Sequence, residues 1–72
     1  MRRFNLVRRE DVSGVSGTGI VAQGIEFDNG KASMCWLGTY HTIENADNIH
    51  VIERIHGHDG RTTISWIDAE DV

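Results

Sequence analysis

The chain has 72 residues, a formal net charge of −4 at pH 7 and a single cysteine. A chain this short forms one domain, 1–72, with a thin core, because folding removes only about 60% of the surface of the unfolded chain from water. These numbers exclude an internal disulfide and argue against a general nucleic-acid binder, which carries a basic face. No apolar run reaches the length of a membrane span.

The N-terminal region predicts a strand followed by a loop. Apolar and polar residues alternate from Phe4 to Arg9, as they do in a strand with one buried side. The same region holds four of the seven basic residues: Arg2, Arg3, Arg8 and Arg9. We interpret this cluster as a solvated edge strand, with a local anion contact as the alternative. The loop covers residues 10–19, EDVSGVSGTG.

The middle of the chain predicts a β-hairpin. Thr18 to Phe27 is rich in β-branched residues, and Lys31 to Leu37 returns as a second strand. Alternate residues of the returning strand share one side: Ala32, Met34 and Trp36. The turn is Asp28-Asn29-Gly30, because Asn and Gly tolerate the positive φ that a tight hairpin turn requires.

The C-terminal part predicts a short strand, a helix and a closing strand. The short strand is Tyr40 to Ile43, and the closing strand is Arg61 to Ile67. Apolar residues at helical spacing predict a helix over roughly Asn48 to His56, although a strand over 49–55 also fits the alternation. Asp47 or Asn48 is the predicted N-cap, and Gly57 suits the position after the last turn.

These elements predict a mainly β (α+β) fold. Five strands with so little core close most economically as a barrel, and residues 19–36 resemble an SH3-like or KOW-like half-barrel. We therefore expect a small SH3-like or KOW-like five-stranded barrel with one short helix. Its large apolar residues exceed what so small a body encloses, which predicts a homo-oligomer: Phe4, Phe27, Trp36, Tyr40 and Trp66. The lone thiol and the lack of a signal-peptide core indicate the cytoplasm.

The glycine-rich loop is the first candidate binding site. Glycines allow successive amide N–H groups to converge on an anion, and hydroxyls add donors. The candidate ligand-binding residues are Ser13, Gly14, Ser16, Gly17, Thr18 and Gly19. The pattern is neither a dinucleotide fingerprint nor a P-loop. A flexible loop or a tight corner of the barrel is the structural alternative.

The segment IHGHDGR, residues 55–61, is the second candidate site. His58 and Arg61 are predicted to contact a phosphate. Zinc held by His56, His58 and Asp59, completed by His41 or His50, is chemically sensible, but the spacing of the histidines is weak evidence for it. A helix end followed by a turn is the structural alternative. We therefore expect neither a metal nor a cofactor.

The aromatic side chains and the cysteine are the remaining candidates. Trp36 is predicted to stack on a base, with core or interface packing as the alternative. Cys35 lies mid-strand, where an inert thiol is expected. No nucleophile-elbow spacing is present, so we predict that the chain is not an enzyme.

The motifs EDVSGVSGTGIVAQGIEFDNG, Trp36-Leu37 and IHGHDGRTTISWID resemble those of a family of short actinobacterial and actinophage proteins. The resemblance covers most of the chain and is weakest between Gly38 and Ile52. It implies an accessory protein of a phage or its bacterial host, and it supplies no catalytic residues. Small phage proteins commonly act by stoichiometric binding, which includes the sequestration of nucleotide signals used in host defence.

The function we predict is non-enzymatic capture of a small phosphorylated ligand or nucleotide by an oligomeric protein. An acidic chain needs local donors for such a ligand, because its overall field repels anions. Two alternatives stay open at this point. One is a protein-interaction module that uses exposed aromatic residues, and the other is a metal-dependent phosphoesterase that uses the histidines.

Overall fold

The computed structural model describes residues 1–9, 18–57 and 60–69 and gives this part of the chain five strands and one helix. The elements, in chain order, are β1 (Arg2–Arg8), β2 (Gly19–Glu26), β3 (Ala32–Trp36), β4 (Ile43–Ala46), α1 (Ile49–His56) and β5 (Thr62–Trp66). The mainly β class with one short helix is confirmed. No helix in the described residues is long and apolar enough to cross a membrane.

The five strands form one open antiparallel sheet in the order β4-β3-β2-β1-β5. The predicted SH3-like or KOW-like barrel is therefore wrong, because β4 and β5 are opposite edges that do not pair. The chain crosses from one edge to the other through α1, which contacts both edge strands. Ile49 and Ile52 of this helix are buried. The helix thus covers one face of the open sheet, whereas in a barrel that face would line the closed interior.

Strand β1 lies inside the sheet, between β2 and β5. Phe4 is paired with Gly24 on one side and with Trp66 on the other. The prediction of a solvated edge strand for the arginine-rich N-terminus is therefore wrong. Alternation alone could not reveal this, because interior and edge strands share the same period of two.

The core lies between α1 and one face of the sheet. Its buried members are Phe4, Leu6, Ala22, Ala32, Met34, Ile49 and Ile52. The Phe4 and Trp66 rings meet edge to face with centroids 5.7 Å apart. A Cβ on Gly24 would lie 2.5 Å from the Phe4 ring and 2.6 Å from the Ser33 carbonyl oxygen. Only glycine at this mid-strand position leaves room for the Phe4 ring.

The predicted hairpin is confirmed, with Gly30 at a φ of 88° in its turn. The predicted short strand at Tyr40 to Ile43 is displaced, because β4 begins only at Ile43, opposite Cys35. The preceding residues form a loop, which the Trp36 N–H closes by donating to the Thr42 carbonyl oxygen at 3.0 Å. The pairing of β3 with β4 therefore starts only after this hydrogen bond, at Ile43.

The predicted helix is also confirmed, and Asn48 rather than Asp47 caps it. The Asn48 side chain accepts a hydrogen bond from the Val51 N–H at 3.2 Å. Gly57 follows the last turn with a right-handed φ of −68° and donates to the Glu53 carbonyl oxygen. The φ at this position is open to any residue. Glycine is favoured because a Cβ there would collide with the Glu53 carbonyl oxygen.

Candidate functional site

Several of the predicted ligand-binding residues lie at one end of the sheet, which we call the loop end. Gly19 begins β2 and Trp36 ends β3. The antiparallel register therefore places both residues at the same end of the sheet. The Arg9 N–H donates to the Arg61 carbonyl oxygen at 2.7 Å, so Arg61 lies at the same end. Thr18 precedes Gly19 directly. The topology thus collects residues from three distant segments of the chain.

The other predicted ligand-binding residues lie outside the described residues: Ser13, Gly14, Ser16, Gly17 and His58. The same holds for Asp59 of the zinc hypothesis. Residues 10–17 connect Arg9 to Thr18, and both of these flanking residues are at the loop end. The phosphate-binding role of the glycine-rich loop therefore stays a prediction.

An open cleft of about 690 Å³ lies at the loop end. The residues that define it chemically are Arg8, Thr18, Ile20, Trp36, Tyr40 and Thr42. We call it the Arg8 cleft. Clefts of roughly 300–1,000 Å³ hold small molecules and cofactors. One guanidinium, two aromatic rings and several threonine hydroxyls give this cleft a cation, stacking surfaces and hydrogen-bond donors.

Arg8 is not among the predicted ligand-binding residues, although the sequence left a local anion contact by the arginine cluster as an alternative. It is 9% exposed and lines the cleft, and its side chain has no hydrogen bond or ion pair with any residue in the ranges 1–9, 18–57 and 60–69. Phe4, Leu6 and Arg8 alternate along β1 and share the buried face. That alternation was the available signal, since it places Arg8 on the same side as the core.

The two aromatic rings of the cleft differ in their surroundings. Trp36 is half-buried, packs against the core and meets the His56 ring edge to face, with centroids 5.0 Å apart. Tyr40 is 81% exposed in the loop between β3 and β4. Trp36 thus packs against the core and also lines the cleft, and its stacking on a base stays a prediction. Tyr40 has a free ring face to offer a ligand.

His56 forms the second polar feature near the cleft. Its Nε2 lies 2.8 Å and 3.0 Å from the two carboxylate oxygens of Glu44, and both side chains are largely buried. A carboxylate that accepts the Nε2–H fixes the tautomer and the orientation of the ring. The pair lies beside Trp36, which borders the cleft.

The described residues do not assemble a metal site. His56 is engaged by Glu44, His50 contacts Glu53 at 3.1 Å, and His41 is exposed. Across these parts of the chain no three histidine, cysteine or acidic side chains converge on one point. The described half of the predicted zinc ligand set is therefore not brought together.

A buried hydroxyl lies next to Arg8. Thr62 is opposite Arg8 in the register of β1 and β5. Its Oγ1 is buried and has no hydrogen-bond partner in the ranges 1–9, 18–57 and 60–69. The side chains of Arg8 and Thr62 thus lie side by side at the loop end, and neither has a hydrogen-bond partner among the described residues.

The opposite end of the sheet, the hairpin end, holds a second cleft of about 600 Å³. Its charged members are Lys31 and Asp47, and Phe27 supplies a ring. Lys31 is exposed, in contrast to Arg8. The two clefts are therefore similar in volume and differ in the burial of their cations.

Comparison with known proteins identifies a family. A family model described as Acb5 phage protein matches residues 1–68 of the 72. No curated protein and no solved structure matches the chain. The match spans all five strands and the helix, and the chain belongs to the Acb5 phage protein family.

Proposed function

We propose that this member of the Acb5 phage protein family captures a small phosphorylated ligand of the nucleotide class in the Arg8 cleft. Capture would withhold the ligand from the host, and the designation Acb suggests anti-CBASS signal sequestration. The observation that carries the proposal is Arg8, a residue that is 9% exposed, lines the cleft and has no anionic partner among the described residues.

The Arg8 side chain is largely buried, and an anion that enters the cleft would give its guanidinium a charge-assisted partner. Guanidinium is suited to phosphate in particular, since its planar fork donates two parallel hydrogen bonds. Arg8 therefore supplies a phosphate site that is charged before the ligand arrives.

The remaining lining favours a nucleotide over inorganic phosphate. Trp36 and Tyr40 offer aromatic faces at the edge of the same cleft, and stacking of a base on such a face contributes about 1–3 kcal/mol. Thr18 and Thr42 add hydroxyl donors and acceptors for a sugar. A volume of about 690 Å³ accommodates a base, a sugar and a phosphate together.

Because the chain has a negative net charge, binding of an anion depends on hydrogen-bond donors within the cleft. A protein with a formal charge of −4 repels anions at long range. Binding must then rest on Arg8 and on the neutral donors around it. Affinity should fall with added salt by less than it does for nucleic-acid binders, which neutralise many phosphates at once.

The test is calorimetric titration with mononucleotides and cyclic dinucleotides, using Arg8→Gln as the variant and Lys31→Gln as the matched control in the second cleft. Loss of one buried charge-assisted contact to phosphate should weaken binding by about 2–3 kcal/mol, or roughly 30- to 150-fold. The control should bind as the parent protein does. Equal losses in both variants, or binding unaffected by Arg8→Gln, would refute the assignment.

Tyr40→Ala tests the stacking part of the proposal. The ring is exposed, so its removal should leave the melting temperature unchanged. Ligand affinity should fall about tenfold, which corresponds to one lost stacking contact. Phe27→Ala in the second cleft is the control. An affinity unchanged in Tyr40→Ala would restrict stacking to Trp36.

A phosphoesterase is the second candidate function, and the His56–Glu44 pair favours it. A histidine oriented by a carboxylate is an arrangement used for general acid and base catalysis. In hydrolysis, water would attack phosphorus and lose a proton to the base, and the leaving oxygen would take up a proton. Chromatography of the ligand recovered after prolonged incubation separates the two functions. Intact ligand supports capture, whereas products that His56→Gln abolishes establish turnover.

A further inference from the structure

Three side chains on the helix side of the sheet contact one another beside the ligand site. Glu44 of β4 is opposite Met34 of β3, and Trp36 lies two positions further along the same side of β3. His56 ends α1 and follows a buried isoleucine by four positions, which places it on the face of the helix that meets the sheet. The topology thus brings β3, β4 and α1 together at this point.

The contacts lead from a carboxylate to an imidazole and from the imidazole to an indole. Nε2 of His56 lies 2.8 Å and 3.0 Å from the two carboxylate oxygens of Glu44. The His56 and Trp36 rings meet edge to face, with an angle of 78° between their planes. Trp36 in turn lines the Arg8 cleft. A change at Glu44 therefore reaches the cleft through two contacts.

The same helix carries a second histidine–carboxylate pair, which serves as a comparison. Nδ1 of His50 lies 3.1 Å from a carboxylate oxygen of Glu53, and the two side chains are 80% and 50% exposed. In the first pair, His56 is 18% and Glu44 is 29% exposed. Water competes less for a hydrogen bond in buried surroundings, so the first pair fixes its imidazole more firmly.

We infer that Glu44 and His56 are positioning residues of the ligand site, which hold the Trp36 ring where a base stacks on it. A ring that is ordered before binding loses less conformational freedom when the base arrives, and the complex is tighter for that reason. Neither positioning side chain has to touch the ligand. The inference rests on the proposed capture of a nucleotide in the Arg8 cleft, and it assigns to this pair the preference for a nucleotide over inorganic phosphate.

Two probes separate the positioning role from the phosphate site. Adenosine monophosphate presents a base and a phosphate, whereas inorganic phosphate presents only the charge that Arg8 is proposed to bind. Titration of the isotope-labelled whole chain, followed by NMR, measures both affinities, including those in the millimolar range. The ratio of the two affinities reports the contribution of the base.

Glu44→Met should lower the affinity for adenosine monophosphate about tenfold, the scale of one lost stacking contact, and leave the affinity for inorganic phosphate unchanged. Methionine keeps the length of the side chain and is only a weak acceptor. Glu44→Gln retains an oxygen that accepts the Nε2–H and should keep the parental ratio. Glu53→Met breaks the exposed pair and is the matched control. A merely structural role of Glu44 would lower the melting temperature of Glu44→Met and leave the ratio unchanged.

The parent protein gives a second measurement that needs no substitution. Adenosine monophosphate should shift the NMR signals of the Trp36 indole N–H and of the His56 ring, while those of the His50 ring stay in place. An affinity ratio that is the same in the parent and in Glu44→Met overturns the inference, as does a His56 signal that shifts no more than that of His50. Failure of the parent protein to bind either probe would instead refute the proposed function itself, and the inference with it.

Discussion

Strand β1 carries arginines at both ends, and the two ends treat them differently. At the hairpin end, the Arg2 guanidinium lies 3.7 Å from the centre of the Trp66 ring, and Arg3 makes a forked contact with Asp68. At the loop end, Arg8 is buried and has no such contact with the described residues. One strand thus contains two cations with partners and one that has none among the residues that the structure describes.

Arg3 thus has a structural role in its pair with Asp68, whereas the role that we propose for Arg8 is to bind a ligand. A protein that can pair Arg3 with Asp68 could also have placed a carboxylate beside Arg8. Buried groups left unsatisfied persist where they serve a ligand, and the stability they forfeit is recovered on binding. The volumes of the two clefts, about 600 and 690 Å³, do not reveal this difference.

Arg8→Met should break the comparison most strongly. Methionine keeps the apolar length of the side chain and removes a charge that has no partner among the described residues. We expect the ligand-free protein to gain about 1 kcal/mol of unfolding free energy, since an apolar side chain of similar length suits a largely buried position better than a charged one. Urea denaturation measures it. Loss of stability would mean that Arg8 has a structural partner. The arginines at both ends of β1 would then have the same, structural role.

Thr62→Val also tests the loop end, and we expect a smaller change in the free energy of unfolding. The two side chains are nearly equal in shape, and the Thr62 hydroxyl has no partner to lose in the described part of the chain. Replacing an unsatisfied buried polar group by an apolar one is neutral or stabilising, here by up to about 1 kcal/mol. Thr63→Val on the opposite face of β5 is the control in the same urea experiment. Destabilisation by Thr62→Val alone would show that its hydroxyl is bonded.

Asp68→Asn tests the hairpin end and should have the smallest effect. Hydrogen bonds from the side chain and the backbone N–H of Arg3 hold the pKa of Asp68 well below its usual range. The resulting stabilisation is fully present above the unfolded pKa of about 3.9 and is lost as the pH falls towards the lower folded pKa. The stability difference between parent and variant should therefore be constant from pH 5 to 8 and shrink below about pH 4. A difference that instead grows on acidification would contradict the assignment.

Local elements could be predicted from the sequence because their determinants are local. The Asn-Gly turn requires a positive φ at Gly30, and the side chain of Asn48 caps the helix three residues before Val51. Each of these depends on residues within a few positions of one another. The hairpin of β2 and β3 and the limits of α1 were predicted correctly for that reason.

The order of the strands could not be predicted because its determinants are distant in sequence. The same alternating pattern fits a closed barrel and an open sheet. The choice depends on where α1 carries the chain and on the contact between Phe4 and Gly24, which are twenty residues apart. The environment of Arg8 depends on that order, since it requires both β2 and β5 as neighbours. A site assembled from several strands is invisible until the pairing is known.

The pairing of the last strand with the first has a consequence for how the chain is made. Strands β1 to β4 follow one another as neighbours and can assemble while synthesis continues, but β5 must join β1 across almost the whole chain. Until Trp66 reaches Phe4, β1 is an unprotected edge, and contacts between such distant residues form slowly. Folding of the sheet therefore finishes only after β5 has been synthesised. The two segments that flank Arg8 become neighbours in that final step, so a truncated chain would lack the site as well as the strand.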